Sequence, residues 1–384
     1  MDSLSKFARQ KLAEIKTKGL YRQTRPTVRT KAGGTARKDG NFISFCDNDY
    51  LGLNHHPDLI KAAEAASKKY GAGAGSSRLV TGDHPLNAEL EAKIAGFKEG
   101  EAACIFGSGY LTNLGVIPVL AGRGDLIIAD RLCHACLFAG STLAEAALKV
   151  FRHNDLDHLR DILEKSRNKA GNVLILTDGI FSMDGDRAPV EALSDLAREF
   201  DAWLMVDDAH GLGVVEDGHG ASFKRGHRLD VPLQMGTFSK AVGSYGGYIV
   251  ADAPVIDLIK NRARSLIYTT GLPPGVVAAS LKGLEIIETN PALSKKPIQK
   301  AALFCTRLGL PAPQSSIVPL ILGDLEATMA AASKLAAEGF LITPIRPPTV
   351  PDGTARLRFG FSASHKDEDI LRLVDVIKGK RILP

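Results

Sequence analysis

From about residue 100 the chain alternates short, unbroken apolar runs with stretches of helical spacing. Ala102–Phe106, Leu126–Asp130, Val173–Thr177, Leu204–Asp207 and Leu233–Phe238 read as strands. They lack regular alternation of apolar and polar residues, as expected of strands buried on both faces. Between them, Tyr110–Leu120, His134–Ala147 and Val190–Phe200 carry helical periodicity. This repetition predicts an α/β fold with a mostly parallel central sheet in a large domain. After Pro273-Pro274 the pattern changes. Helix Val276–Glu288, helical material to about Leu308, strand Ile317–Leu322 and helix Leu325–Glu338 come first. Strands Phe340–Ile345 and Ala355–Phe361 and helix Asp367–Ile377 complete a smaller α+β domain. The expected division is 1–45 as an N-terminal helix and basic arm, 46–272 as the large domain and 273–384 as the small C-terminal domain.

Composition changes this picture little: 45% hydrophobic and 24% charged residues over 384 positions describe an ordinary globular chain. Charge changes it more. Residues 1–40 hold 11 Lys/Arg against Asp2, Glu14 and Asp39, a net +8 that leaves −3 for the rest. The segment is neither serine-rich nor free of acids, unlike a transit peptide, and has no apolar core of a signal peptide. Aromatic residues do not interleave with the charges as a nucleic-acid groove requires. An amphipathic helix with a solvated basic face, and no nucleic-acid partner, is the expectation. A basic RNA- or membrane-associated role for this arm is the rival reading. No apolar run approaches the ~18 residues of a membrane span. Five sparse cysteines suggest a reducing, cytoplasmic setting without disulfides. Cys133-x-x-Cys136 lacks the second pair that structural zinc needs, so no metal is expected. The two cysteines read as small packed residues around His134, with oxidation a hazard to any site there.

Ligands of open α/β sheets bind at the carboxyl ends of the strands. Those ends carry Gly107-Ser108-Gly109-Tyr110, Asp130 to His134, Asp178 to Gly185, Asp207-Asp208-Ala209-His210 and Thr237-Phe238-Ser239-Lys240. The string Gly71-Ala72-Gly73-Ala74-Gly75 does not match a dinucleotide fingerprint, and no Walker A spacing precedes Lys240. A lysine, a strand-end carboxylate, a flat histidine and a glycine turn at a helix start are the parts that pyridoxal phosphate asks for. They serve as imine former, partner of the ring nitrogen, cover for the ring face and phosphate cup.

The order of motifs, from Asn48-Asp49-Tyr50-Leu51-Gly52 to Ile345-Arg346-Pro347-Pro348-Thr349 and Arg356-Leu357-Arg358, resembles the α-oxoamine synthases. These are fold-type I pyridoxal-phosphate transferases. The resemblance runs nearly end to end, and Ala129-Asp130-Arg131-Leu132 with His134-Ala135 points to the branch that condenses L-alanine with a pimeloyl thioester. It implies pyridoxal 5'-phosphate held as a covalent imine on Lys240, with Asp207 at the ring nitrogen, His210 at the phenolic oxygen and His134 stacked on the ring. Gly109, Tyr110 and Thr237 would hold the phosphate, and Ser182 a cofactor group. Asn48, Ser77, His134, Arg346 and Thr349 would meet substrate, together with Arg22, whose rival is Arg25. The implied reaction joins alanine to acyl-CoA with loss of CO2 and CoA, in a homodimer with shared sites and without a membrane partner. Ser77 favours alanine, because glycine-specific relatives carry the bulkier threonine there; glycine and serine stay open. A non-catalytic subunit of the same fold would be expected to lack the lysine that this chain has at position 240.

Overall fold

Each strand of the central sheet divides its side chains between two cores, which explains why the strand sequences are apolar without alternation. The computed structural model describes residues 3–30 and 33–383. The central sheet contains β1 (Ala102–Phe106), β2 (Leu126–Asp130), β3 (Ala147–Phe151), β4 (Val173–Asp178), β5 (Trp203–Asp207), β6 (Leu233–Thr237) and β7 (Gly247–Ala251). In β2, Ile127 and Ala129 enter one core with Leu174, Leu176 and Met205. Leu126 and Ile128 enter the other with Val173, Ile175 and Leu204. The side-chain period of two sends neighbours to opposite faces, and helices cover both.

The strand order is β1-β7-β6-β5-β4-β2-β3. β7 runs antiparallel to β6 and β1, and the remaining neighbours pair in parallel. β3 and β7 were not legible in the apolar pattern. The expected helix over 134–147 stops at Leu143, Glu145 takes φ 57°, and the chain turns into β3. β3 is the sheet edge, and its first four residues are exposed, so it lacks the signature of a buried strand. β7 is fully buried but returns from β6 through residues 238–246 without a helix, outside the strand–helix rhythm.

The junction between the domains lies further along than 272. Helix Pro274–Thr289 sends Val277, Leu284 and Ile287 into the large-domain core beside Leu59, Leu90 and Ile94. The next helix, Pro291–Leu308, puts Ala301, Phe304 and Cys305 into the small-domain core with Phe340, Leu357 and Phe359. Asn290 stands between the two helices, and its side chain caps the second by accepting from Leu293 N at 3.2 Å. The N-terminal arm is partly anchored: strand Gly40–Ser44 pairs in parallel with Phe340–Leu341 of the small domain. Helix Ser3–Thr17 buries none of its residues.

Two charged clusters brace the loops behind the strand ends. Lys98 and Asp208 are both fully buried, with Nζ 3.1 Å from Oδ2. Lys98 Nζ also donates to the His219 carbonyl, and Asp208 accepts from Ala221 N at 3.0 Å. Gly211 and Gly220 make room for this carboxylate, since a Cβ there would lie 1.9 and 1.7 Å from its oxygens. Nearby, His153 bridges two acids, with Nδ1 3.0 Å from Asp130 and Nε2 2.7 Å from Asp186. Burial disfavours its charge, but the two carboxylates outweigh that cost and hold the imidazole at about 10.

Lys98→Met should cost about 3–5 kcal/mol in chemical denaturation, because it leaves a buried carboxylate without its cation. Replacing Asp208 by leucine in the same chain should recover part of the loss. For His153 the folded pKa lies above the unfolded value of about 6.5. Its stabilisation is therefore complete below pH ~6.5 and fades as pH rises through about 10. Thermal midpoints measured across that window should fall more steeply in the parent chain than in His153→Gln.

Candidate active site

The carboxyl ends of β1, β2, β4, β5 and β6 lie on one edge of the sheet, where they surround a cavity of about 230 Å³. β5 ends in Asp207 and β4 in Asp178, which face each other in register. β6 ends in Thr237, followed by Ser239 and Lys240 on the cavity wall. β2 leads to His134, the N-cap of helix Ala135–Leu143, and β1 leads to Ser108, the N-cap of helix Gly109–Leu120. The loop after β5 adds Ala209 and His210.

Charge is distributed unevenly among these groups. Both oxygens of Asp207 accept N–H donors, from Asn113 Nδ2 at 2.8 Å and Ala209 N at 3.0 Å, which suits an ionised carboxylate. Burial and then the Asp207 charge push the Asp178 carboxyl well above the usual range, so Asp178 holds its proton more tightly than an ordinary carboxyl. Burial lowers Lys240 to about 8, although Asp207 and Asp178 pull the other way. Among the described residues its ammonium has no hydrogen-bond or ion-pair partner. Burial, then Lys240 and Arg358, push His210 well below its ordinary value and keep the ring neutral. Its Nδ1 lies 2.6 Å from Tyr50 Oη. Arg358 Nη2 donates to Asn48 Oδ1 at 3.1 Å and to Tyr50 Oη at 3.3 Å. Asn48 is thereby supplied, which leaves the phenol proton for the closer His210 nitrogen.

The first amides of a helix have no acceptor within it, so Gly109 and Tyr110 present N–H groups at the cavity. A Cβ on Gly109 would lie 3.2 Å from Met235 Cε and 3.4 Å from Thr237 Cβ, tight enough to close this cradle. An unpaired lysine, a carboxylate, two flat rings and a helix start around one cavity fit pyridoxal phosphate. Lys240 would hold its aldehyde carbon, Asp207 its ring nitrogen and the 109–110 amides its phosphate.

The structure brings Lys240, Asp207, His134, His210, Gly109, Tyr110 and Thr237 to one cavity. Thr237 lines the cavity of its own chain. Ser182 stands in the adjoining turn, with its carbonyl accepting from Arg358 Nε. Asn48 is one shell out, on the Arg358–Tyr50 cluster. Arg22, Ser77, Arg346 and Thr349 do not line this cavity. Arg22 and Thr349 are exposed, and Ser77 bridges to Thr270. Arg346 rests on the small domain, where Nη2 meets the Tyr21 carbonyl at 3.2 Å.

Four residues without a role in the sequence reading belong to the site or to the layer behind it: Asp178 on the cavity wall, and Asn113, Tyr50 and Arg358 behind the side chains that line it. Arg358 is 4% exposed, and its hydrogen bonds go to neutral groups; no carboxylate pairs with it among the described residues. Its neighbour Arg356, also buried, pairs with Asp184. Asp178 carried a signal in the sequence, as a strand-end acid. Asn113 had none, because it sits inside an apolar helix whose packing alone aims it at Asp207.

Residues 40–377 match the family Aminotransferase class I and II. The 8-amino-7-oxononanoate synthase of Beijerinckia indica is 54% identical over 377 residues, covering 98% of each chain. That of Methylocella silvestris is 58% identical over 337 residues, covering 88% of this chain and 96% of the relative. Among solved structures, serine palmitoyltransferase from S. paucimobilis with a bound PLP–myriocin aldimine superposes with a TM-score of 0.91 at 28% identity, over 99% of this chain and 98% of that one. 8-Amino-7-oxononanoate synthase from Francisella tularensis gives 0.75 at 26% identity, over 89% and 98%. A cavity built for pyridoxal phosphate and relatives above half identity along the whole length agree: the chain belongs to the class I and II aminotransferase family and, within it, to the 8-amino-7-oxononanoate synthases.

Proposed function

We propose that this site joins L-alanine to a pimeloyl thioester and releases CO2 and the thiol carrier, forming 8-amino-7-oxononanoate for biotin synthesis. The observation that carries the reading is the unpaired, half-buried Lys240 facing Asp207 across a cavity of about 230 Å³. Pyridoxal phosphate, when bound, supplies an electron sink for negative charge at the α-carbon of the amino acid.

The protein's part is positional and protonic. Lys240 Nζ, lowered to about 8, is partly unprotonated near neutrality and can serve as nucleophile and then as base at the α-proton. Asp207 would hold a proton at the ring nitrogen, and Asp178, whose carboxyl is pushed well above the usual range by burial and the Asp207 charge, is the weaker competitor for that role. His134, on the cavity wall, would cover one face of the ring. His210, with Nδ1 engaged by Tyr50, keeps a proton on Nε2 for the phenolic oxygen. The Gly109 and Tyr110 amides would hold the phosphate, with Thr237 beside them on the cavity wall. We assign the α-carboxylate to Arg358 in place of Arg346, because Arg358 is a buried guanidinium without a counterion beside Lys240 and His210. A fixed carboxylate would limit the orientations open to the amino acid's α-carbon. The basic residues of the N-terminal arm favour an anionic acyl carrier such as CoA.

The assembly is read as a homodimer with shared sites. Leu79 and Val80, just after Ser77, are 63% and 72% exposed, and Tyr110 on the cavity wall is 48% exposed. Tyr268, two residues before the Thr270 that bridges Ser77, is 73% exposed. These exposed apolar side chains suit contact with a second copy, which would bring Ser76 and Ser77 to its neighbour's site. No helix among the described residues is long and apolar enough to cross a membrane, and the five cysteines are free. Both agree with a cytoplasmic enzyme.

Borohydride reduction and peptide mapping should place the pyridoxyl label on Lys240; a label on another lysine would reject the assignment. Attachment of cofactor to the cofactor-free chain should speed up as pH rises, with a midpoint near 8. An ordinary lysine would show its midpoint near ~10.4.

Arg358→Lys keeps the charge but loses the planar fork, and should raise the KM for alanine about tenfold or more with little change for the acyl thioester. Arg346→Lys should leave the alanine KM unchanged, and the reverse pattern would return the carboxylate to Arg346. Lys240→Ala mixed with Ser77→Tyr, each inactive alone, should regain part of the activity through hybrid dimers. A fully active monomer in sedimentation would contradict the shared site.

A further inference from the structure

The pair of cysteines around His134 has no part in the chemistry above, yet Cys136 Sγ stands on the cavity wall between two functional side chains. The chain of contacts begins at Asp207. Its Oδ2 accepts from Asn113 Nδ2 at 2.8 Å. Asn113 is fully buried, and its Oδ1 has no partner among the described residues. Turning the amide over would give that oxygen no relief, since it would then face a carboxylate. A hydrogen bond to a charged acceptor is worth more than a neutral one, so Asp207 decides which way Asn113 points.

With Nδ2 so fixed, its second N–H reaches Cys136 Sγ at 3.0 Å. The sulfur is thereby an acceptor toward Asn113 and has its own S–H to give. His134 Nδ1 lies 2.7 Å from that sulfur. The Cys136 backbone N–H meets the same nitrogen at 3.3 Å, the cap of helix Ala135–Leu143. Two donors converge on His134 Nδ1, which must then carry a lone pair, leaving the ring proton on Nε2.

We propose that Asn113 and Cys136 are positioning residues: they pass the orientation imposed by Asp207 to His134 and hold its ring neutral with the proton on Nε2. The inference rests on the reading of His134 as the cover of the cofactor ring. An imidazolium would set a third proton against the two donors at Nδ1, so the relay resists protonation. Burial, the largest influence, also lowers the His134 pKa, with Lys240 adding to it and Asp207 opposing. Burial and the nearby acids raise the Cys136 thiol to about 12, so it stays an S–H donor and not a thiolate. The result is one face of the site closed by a flat, uncharged ring with a single defined N–H edge. A cationic ring there would add positive charge beside Lys240 and draw on the same Asp207.

Side-chain nitrogen NMR of the full chain labelled at histidine, with pyridoxal phosphate added, tests this directly. The parent should show His134 as one tautomer, bare at Nδ1 and protonated at Nε2, throughout pH 6–8. Cys136→Ala should give a mixture of tautomers, a higher His134 midpoint and a kcat lower by roughly tenfold, the size of one lost hydrogen bond. Cys136→Ser should restore all three, and Asn113→Ala should reproduce the alanine variant. If Cys136→Ala keeps the parent tautomer and midpoint, or if the alanine and serine variants behave alike, the relay is rejected, whatever their thermal stability. The same spectra on cofactor-free protein separate the two readings. Failure of the parent to bind pyridoxal phosphate would overturn the assignment of the cavity, while the tautomer result would still decide the relay.

Discussion

The negative charge of Asp207 organises the carboxyl edge of the sheet. It stands on the last residue of a central strand, next to a second acid that burial would otherwise leave free to compete. Two like charges in one poorly solvated place cannot both persist, and the better hydrogen-bonded one keeps its charge. Asp207 has an amide and a side-chain donor, whereas among the described residues the Asp178 carboxyl accepts only from His134 N at 3.2 Å. Asp178 therefore holds its proton more tightly, Asn113 is oriented, and Lys240 is lowered less than burial alone would lower it.

The adjacent carboxylate, Asp208, does a different job with the same chemistry. It turns away from the cavity into a glycine-lined recess and pairs with Lys98. The loop that carries Ala209 and His210 is thus tied from behind by a buried ion pair, while its front faces the ligand cavity. A buried pair of this kind contributes little net stability, but breaking it is costly, so it fixes a conformation better than it strengthens the fold. The His153 bridge between Asp130 and Asp186 similarly braces the loops from β2 and β4.

The comparisons separate what the fold shares from what the site selects. Serine palmitoyltransferase superposes along almost the whole chain at 28% identity, so the sheet and the small domain tolerate wide replacement. What distinguishes substrates must lie in the cavity wall and its approaches. Here these include the Arg358 cluster on the small-domain side and an apolar rim that one chain leaves uncovered.

Much of this was legible in the order of residues alone. Unalternating apolar runs announce buried parallel strands, and Asp207, His210, Thr237 and Lys240 sit at or just past the ends of such runs, where ligands must bind. The motif led to Arg346 for the substrate carboxylate, and we propose Arg358, twelve positions later, in its place. That choice depends on which guanidinium the fold buries, through contacts with Asn48 and Tyr50 more than 300 residues away. The edge strand β3, the late domain junction and Asn113 escaped for the same reason. Their signals lie in what packs against them. Periodicity reports only how a segment divides its own faces, whereas burial, charge and hydrogen-bond supply are set by neighbours distant in the chain. Five of the seven strands and most of the residues at their carboxyl ends can be read from residue order, while which charges survive and where they point depends on neighbours that only folding brings together.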